Sequence, residues 1–251
     1  MGVSTFFPAE IMVQAHRELV ATLTPPPSAL EIVVALALGS TLPASELAQL
    51  TQRAEHLATG VPTGIMDQLC ITSARQGHGA LIDCNTLEIR HIPIPSDVKI
   101  VVRFVAHRTL VGSAYADRVA QCATAESIIG PLRNAAMSDI AKIDNKIIRA
   151  RASHVVSENE RVLDFSSALE EGDYHTAGFV MTDSHTSLSN DFEVSNSQMD
   201  QAVRDMCATP GVFGARMTGG GFGGCIVALC DPDAVVDGWH VQPVGSAHHV
   251  A

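Results

Sequence analysis

Five of the six residues from Gly219 to Gly224 are glycine, with Phe222 alone between them. The surrounding stretch, Gly214 to Cys230, reads GARMTGGGFGGCIVALC. Apolar residues alternate before the glycines (Phe213, Ala215, Met217) and after them (Cys225, Val227, Leu229). That alternation is the strand period, so the stretch reads as strand, glycine loop, strand. Glycine admits positive φ and lets a backbone approach another group with no Cβ between. Successive N–H groups in such a loop form an anion-binding concavity, and phosphate is the usual anion. The plain alternative is a hairpin turn, which needs only two glycines. Five cost chain entropy without an evident return. Gly219, Gly221 and Gly224 also fit G-x-G-x-x-G, but that fingerprint must open a helix. The β-like run CIVALC follows here, so the dinucleotide reading fails on context.

Three further side chains invite a chemical reading. Asp67 stands in GVPTGIMDQLC, surrounded by Ile65, Met66, Leu69, Cys70 and Ile71. It is either a helix cap, a common role for Asp, or a carboxylate placed for chemistry. Glu55 falls one step round from the apolar face, Leu47, Leu50 and Ala54, of a helix expected from Ser45 to about Ala58. A solvated surface position is the ordinary fate of a Glu. Tyr115, in RTLVGSAYADRVAQC, is either a helix-face aromatic packed inward or a site residue.

The elements that must position these groups follow from periodicity. Ala9 to Leu23 carries apolar residues at roughly helical spacing and ends at Pro25-Pro26-Pro27, which no helix interior tolerates. Ser28 then precedes ALEIVVALALG as an N-cap would, opening a buried helix that Gly39 stops. Gly79 to Pro95 reads as a hairpin turning at Cys84-Asn85-Thr86, and KIVVRFV from Lys99 as a further strand. From about Asp139 to Leu169 the chain is helical. Ser157 and Glu160 either form a capping box there or lie within one continuous helix. Helices over Tyr174 to Leu188 and Gln198 to Cys207 follow, and the tail from Trp239 begins with a short strand. Helices followed by the glycine hairpin predict an α+β domain with helices on one sheet face.

Composition bounds the rest. The 251 residues, 46% hydrophobic and 17% charged, suffice for one large or two small domains. A net charge of −11 argues against nucleic acid, which is held through Lys and Arg. No apolar run reaches membrane-spanning length, and the N-terminus lacks the pattern of a signal peptide. The six cysteines have no CxxC spacing and sit mostly in apolar runs, as reduced core residues of a cytoplasmic protein do. The eleven histidines include no HExxH, and His248-His249 carries no assigned role.

GARMTGGGFGGC resembles the third conserved motif of the GHMP small-molecule kinases, in the wording used by galactokinases. The stretch around Asp67 resembles the galactokinase pattern GxxxGxMDQ, RTLVGSAYADRVAQC resembles TLxxSxYxxRxxxC, and RASHVVSENERVLDFSSAL resembles RxxHVxxENxRVxxxxxAL. NDFEVSNSQMD is again similar, although Ser197 stands where the family often has proline. The likeness runs from about Leu30 to the C-terminus. It implies a two-domain GHMP-kinase fold, with a partial N-terminal domain over residues 1–98 and a C-terminal helices-on-sheet domain over 99–251. It implies ATP-dependent phosphorylation of galactose at its anomeric hydroxyl. Asp67 would then be the catalytic base, and Gly64, Asp67 and Tyr115 would line the sugar site. Ser28, Gly219, Gly220, Gly221, Gly223 and Gly224 would hold the nucleotide, and Glu55 and Ser28 would hold Mg²⁺. The expected partners are sugar and ATP, with no nucleic acid and no membrane, and the expected state is a cytoplasmic monomer.

The sequence also departs from the pattern. No stretch of the form GRVNLIGEHTDY is present. Where galactokinases carry GLSSSAALE to wrap the ATP phosphates, this chain reads LTPPPSALE. Proline has neither an N–H for phosphate nor a hydroxyl for the metal, and Ser28 lies one position out of register. Arg103-Phe104 replaces a polar pair on the strand before Tyr115. The expectation is an N-terminally truncated galactokinase with little phosphoryl transfer of its own. A sugar-binding sensor on the same scaffold, an inactive remnant, and a kinase of neighbouring sugar specificity are the alternatives.

Overall fold

The computed structural model describes residues 42–59, 64–107 and 114–247. The helix expected over Ala9–Leu23, the triple proline and the helix opened by Ser28 lie outside them. The described residues divide into two compact units, Pro95–His240 and a smaller one comprising residues up to Ile94 with those from Val241 onward. Among the described residues no helix is long and apolar enough to cross a membrane.

The smaller unit contains helices α1 (Ala44–Thr59) and α2 (Met66–Ser73) and strands β1 (His78–Ile82) and β2 (Ile89–Pro93). The buried stripe of α1 is Leu47, Ala48 and Thr51, whereas Leu50 is 43% exposed. This corrects the face expected through Leu47, Leu50 and Ala54. Ala48 is small enough to admit the neighbouring helix, and Thr51 buries without an orphaned hydroxyl. Its Oγ1 donates to the Leu47 and Ala48 carbonyls at 3.0 and 3.1 Å. Strands β1 and β2 pair antiparallel in the register Ile82↔Ile89. Asp83 forms the turn: its Oδ1 accepts from the Asn85 and Thr86 amides. Ala48, Ile65, Leu69, Cys70, Ala80 and Ile82 make the core of this unit.

The larger unit is a four-stranded sheet in the order β4-β5-β3-β6, with strands β3 (Lys99–Ala106), β4 (Val212–Met217), β5 (Gly224–Cys230) and β6 (Trp239–Val241). β5 pairs antiparallel with both β3 and β4. Its helices are α3 (Tyr115–Ile129), α4 (Met137–Ile140), α5 (Lys146–Glu171), α6 (Tyr174–Asn190) and α7 (Ser197–Cys207). Met199, Ala202, Val203 and Met206 of α7 bury against Ala215, Met217, Ile226 and Ala228 of the sheet. A second cluster, Cys122, Ala125, Ile140, Ile143, Ala152, Val155 and Val156, joins α3, α4 and α5. Arg103 belongs to this packing: its Nη2 donates to the Ala202 carbonyl at 3.0 Å.

Of the two readings left open for the long helical stretch, α5 is one continuous helix. Ser157 Oγ donates back to the Ser153 carbonyl at 2.8 Å instead of capping a new start. The true N-cap is Asn145, whose Oδ1 accepts from the Ile147 and Ile148 amides at 2.9 and 3.2 Å. Asn145→Ala is expected to cost about 1 kcal/mol. The expected reading is a lower urea midpoint at an unchanged slope, and an unchanged midpoint would show that the cap contributes nothing.

Candidate active site

The glycine loop joins β4 to β5 as the alternation predicted. Thr218 donates its amide to the Cys225 carbonyl at 3.0 Å, closing the neck of the hairpin. Beyond the neck, Gly219, Gly221, Gly223 and Gly224 all have positive φ, so this path is open to few other sequences. Gly221 combines φ +86° with close approach: a Cβ there would lie 2.5 Å from the Val194 carbonyl oxygen. Phe222 also adopts a left-handed conformation, φ 62°. Its amide turns inward and donates to that same Val194 oxygen at 2.7 Å. The amides of Gly219, Gly220, Gly221 and Gly223 make no hydrogen bond to any other described residue. On a backbone anchored at Phe222, Gly219 is exposed and Gly220 half-buried, whereas Gly221 and Gly223 are buried.

Behind the loop lies a buried ionic cluster that the sequence pattern did not single out. Arg216, on β4, donates from Nη1 to Glu158 Oε1 of α5 at 3.0 Å. Glu158, 1% exposed, also accepts from Ser184 Oγ at 2.5 Å and from Arg161 Nε at 2.8 Å. Burial alone would raise the Glu158 carboxyl. Arg216 and the other donors outweigh it and hold the group at about 2. His154, one turn earlier on α5, is fully buried. Ser187 Oγ donates to Asp191 Oδ2 at 2.8 Å, so it accepts from His154 Nδ1 at 3.0 Å. His154 Nε2 is left without a partner among the described residues, and burial pushes the imidazole down to about 4. At the end of β4 the Met217 amide donates to His185 Nδ1 at 3.3 Å. The other ring nitrogen, Nε2, therefore carries the proton and faces Asp200 Oδ1 at 3.2 Å. Burial lowers His185 as well, against the pull of Asp200. The sequence signal for this cluster was a charge, Arg216, in an otherwise apolar strand.

Tyr115 is the first residue of α3 and is half-buried. It shares the larger unit with the glycine loop. Asp67, Glu55 and Gly64 belong to the smaller unit. Asp67 is not the cap of α2: the N-cap position is Ile65, and Asp67 lies inside the first turn. There the helix dipole favours a negative charge. Gly64 is exposed, and a Cβ there would meet nothing within 4 Å. Glu55 is half-buried on α1. Its Oε2 accepts from Gln68 Nε2 at 2.5 Å, so the residue after Asp67 holds the Glu55 carboxylate. Gln68 is 1% exposed, and its Oε1 has no partner among the described residues. Sequence reasoning passed over Gln68, although a glutamine in so apolar a run was the available signal. Ser28 lies outside the described residues.

Among the described residues no three His, Cys, Asp or Glu side chains converge as a metal site. Mg²⁺ does not require that: it takes one or two carboxylates and completes its shell with substrate phosphates and water. An oriented carboxylate such as Glu55 fits that demand. All six cysteines are free thiols, and burial pushes Cys70 up to about 12 and Cys122 and Cys230 to about 11. These three are buried and serve as packing residues.

Residues 165–240 match the family model described as GHMP kinases C terminal. The chain is 42% identical over 216 residues to a galactokinase of Chloroflexus aurantiacus, covering 78% of this chain and 55% of that relative. It is 40% identical over 195 residues to human galactokinase, covering 74% and 50%. The chain thus spans about half the length of the curated relatives it matches. Among solved structures, Lactococcus lactis galactokinase complexed with galactose aligns at a TM-score of 0.78 and 32% identity, over 82% of this chain and 57% of that one. L. major mevalonate kinase in complex with R-mevalonate aligns at a TM-score of 0.58 and 18% identity, over 88% of this chain and 66% of that one. That second likeness shows the fold alone.

Proposed function

We propose a function from one premise: this chain is a homologue of the galactokinases and carries the C-terminal domain of the GHMP kinases. The proposed reaction is transfer of the γ-phosphoryl group of ATP to the anomeric hydroxyl of galactose. The observation that carries it is identity above 40% to a galactokinase along three quarters of the chain. The expected partition, residues 1–98 and 99–251, is kept as a proposal; the compact unit beginning at Pro95 supports its boundary, while the residues from Val241 onward group with the smaller unit.

In this reading Asp67 accepts the proton of the sugar hydroxyl as phosphoryl transfer proceeds. Tyr115 and Gly64 border the sugar. The uncommitted glycine amides of the β4–β5 loop brace phosphate oxygens, as backbone donors in a concavity do. Glu55, oriented by Gln68, and Ser28 would hold Mg²⁺, which when bound screens the phosphate charge. Reduced thiols throughout support a cytoplasmic setting, and we propose a monomer.

We further propose that turnover is impaired. Transfer rests on positioning and electrostatic stabilisation, and Pro25, Pro26 and Pro27 stand where the second motif supplies phosphate donors and a hydroxyl. Sugar binding without turnover, the sensor reading, is the second outcome the same sequence feature favours. Melting of the chain with and without MgATP and galactose separates these. Saturation at a hundred times Kd should raise the midpoint by roughly 5–10 °C. If residual turnover is measurable, Asp67→Asn should lower kcat by about 10²- to 10⁴-fold. Wild-type turnover at the rate of a full-length galactokinase would refute impairment. A sharp melt that no sugar or nucleotide shifts would refute the sites.

A further inference from the structure

We propose that Arg118, Arg151 and Glu193 form a clamp that fixes the glycine loop by way of residues 191–194, as positioning residues for a nucleotide polyphosphate. The inference rests on the phosphate-binding reading of that loop. Arg118, on α3, donates from Nε to the Phe192 carbonyl at 2.5 Å and from Nη2 to the Glu193 carbonyl at 2.9 Å. Arg151, on α5, donates from Nη1 to the Asp191 carbonyl and from Nη2 to Glu193 Oε2 at 2.6 Å. Gln121 Oε1 lies between the two guanidinium groups and accepts from Arg118 Nη1 at 3.2 Å and Arg151 Nε at 3.0 Å. The side chains of Arg118 and Arg151 are 11% and 3% exposed.

Two nearly buried cations therefore direct three of these six hydrogen bonds at three consecutive backbone carbonyls. The rigid fork of arginine suits that task, which a lysine could not reproduce. The next carbonyl in the chain, Val194, receives the Phe222 amide at 2.7 Å. Both residues flanking this link are non-glycine residues in left-handed conformations: Glu193 at φ 53° and Phe222 at φ 62°. Such backbone persists only where its surroundings over-determine it. Here the surroundings are the two arginines on one side and the close approach of Gly221 to Val194 on the other. With the Phe222 amide committed inward, the exposed Gly219 and half-buried Gly220 carry the amides left for a ligand.

The test uses the full chain and reads amide hydrogen exchange together with MgADP titration. Arg118→Gln should speed exchange at Phe222 by about tenfold or more, the worth of a charged hydrogen bond, while Val227 and Ala228 of β5 keep wild-type protection. MgADP should bind weaker by a similar factor. Arg118→Lys, which keeps the charge and loses the fork, should behave like Gln. Glu193→Gln replaces a side chain that is 60% exposed and should shift both readouts in the same direction, which keeps the test decisive should Arg118→Gln not fold. Unchanged exchange at Phe222 in the folded variants would overturn the clamp. So would altered exchange with unaltered MgADP affinity, as far as positioning is concerned. Wild-type chain that binds no MgADP would instead remove the phosphate reading and with it the positioning role, while the exchange result still decides whether the clamp itself exists.

Discussion

Gly214→Ala is expected to lower the melting temperature of the larger unit by roughly 6–12 °C, the equivalent of about 3 kcal/mol or more of overpacking. The reason lies in two glycines that touch across elements. Helix α6 approaches strand β4 so closely that a Cβ on Gly214 would sit 1.9 Å from the Gly178 carbonyl oxygen and 2.4 Å from its carbon. A Cβ on Gly178 would meet the Phe213 carbonyl atoms at 2.2 Å. Every one of these is a backbone atom, so no side chain can swing aside. The helix itself must retreat, and with it Met181, Ser184 and Leu188, which are buried on the same helix. Gly178→Ala should cost nearly as much. The double variant should cost less than the two singles together, because one retreat accommodates both methyl groups. Gly245→Ala, where an added Cβ meets nothing within 4 Å, is the control and should melt as wild type does. A Gly214→Ala protein melting within a degree or two of wild type would mean that α6 and β4 have slack the structure does not show. Since β4 runs directly into the glycine loop, the same variant should also disturb MgADP binding.

That contact shows what the sequence made legible and what it concealed. The alternation Phe213, Ala215, Met217 announced β4, and the glycine cluster announced the loop, because strand period and backbone freedom are local properties. Gly178 and Gly214 are separated by 35 intervening residues, and nothing local reveals that they share one close approach. Gln68 was hidden for the same reason. Its partner Glu55 lies on another helix, and the bond between them exists only once α1 and α2 have packed. Leu50 misled because hydrophobicity was weighed above size: the buried side of α1 runs through Ala48 and Thr51, which are small. Asp67 was ambiguous because a first-turn carboxylate and a cap carboxylate look alike in sequence, differing by two positions along the helix. No local pattern gives Arg118, Arg151 or Arg216 its acceptor, and only the fold shows each one buried on a named partner.

Arg216→Met should be the most damaging change of a charge, costing about 3–5 kcal/mol at neutral pH. The loss is not chiefly that of an attraction. Glu158 stays buried after its main counter-charge has gone, with Arg161 and Ser184 as its remaining partners, and a buried carboxylate that has lost its main partner is what makes breaking such a pair expensive. The pH dependence gives the argument its sign. In the wild type the Glu158 carboxyl is held at about 2, below its ordinary 4.5, so it stabilises the folded state fully above about 4.5 and loses that contribution as pH falls through 2. Without Arg216 burial dominates and the folded state prefers the protonated acid. The penalty of Arg216→Met should therefore shrink as pH falls below the ordinary carboxylate range and be lost only as pH falls through about 2. His154 acts in a separate window. Held down to about 4 by burial, it contributes stability above the ordinary imidazole value of 6.5 that drains away as pH falls through 4. His154→Gln should flatten the upper part of the acid limb and leave the lower part, which belongs to Glu158. Urea unfolding at pH 7, 5 and 3 for the wild type and both variants separates the two windows. A penalty for Arg216→Met that is constant across pH would show that the cluster stabilises by packing alone. The charge on β4 would then have no part in seating the strand that carries the glycine loop.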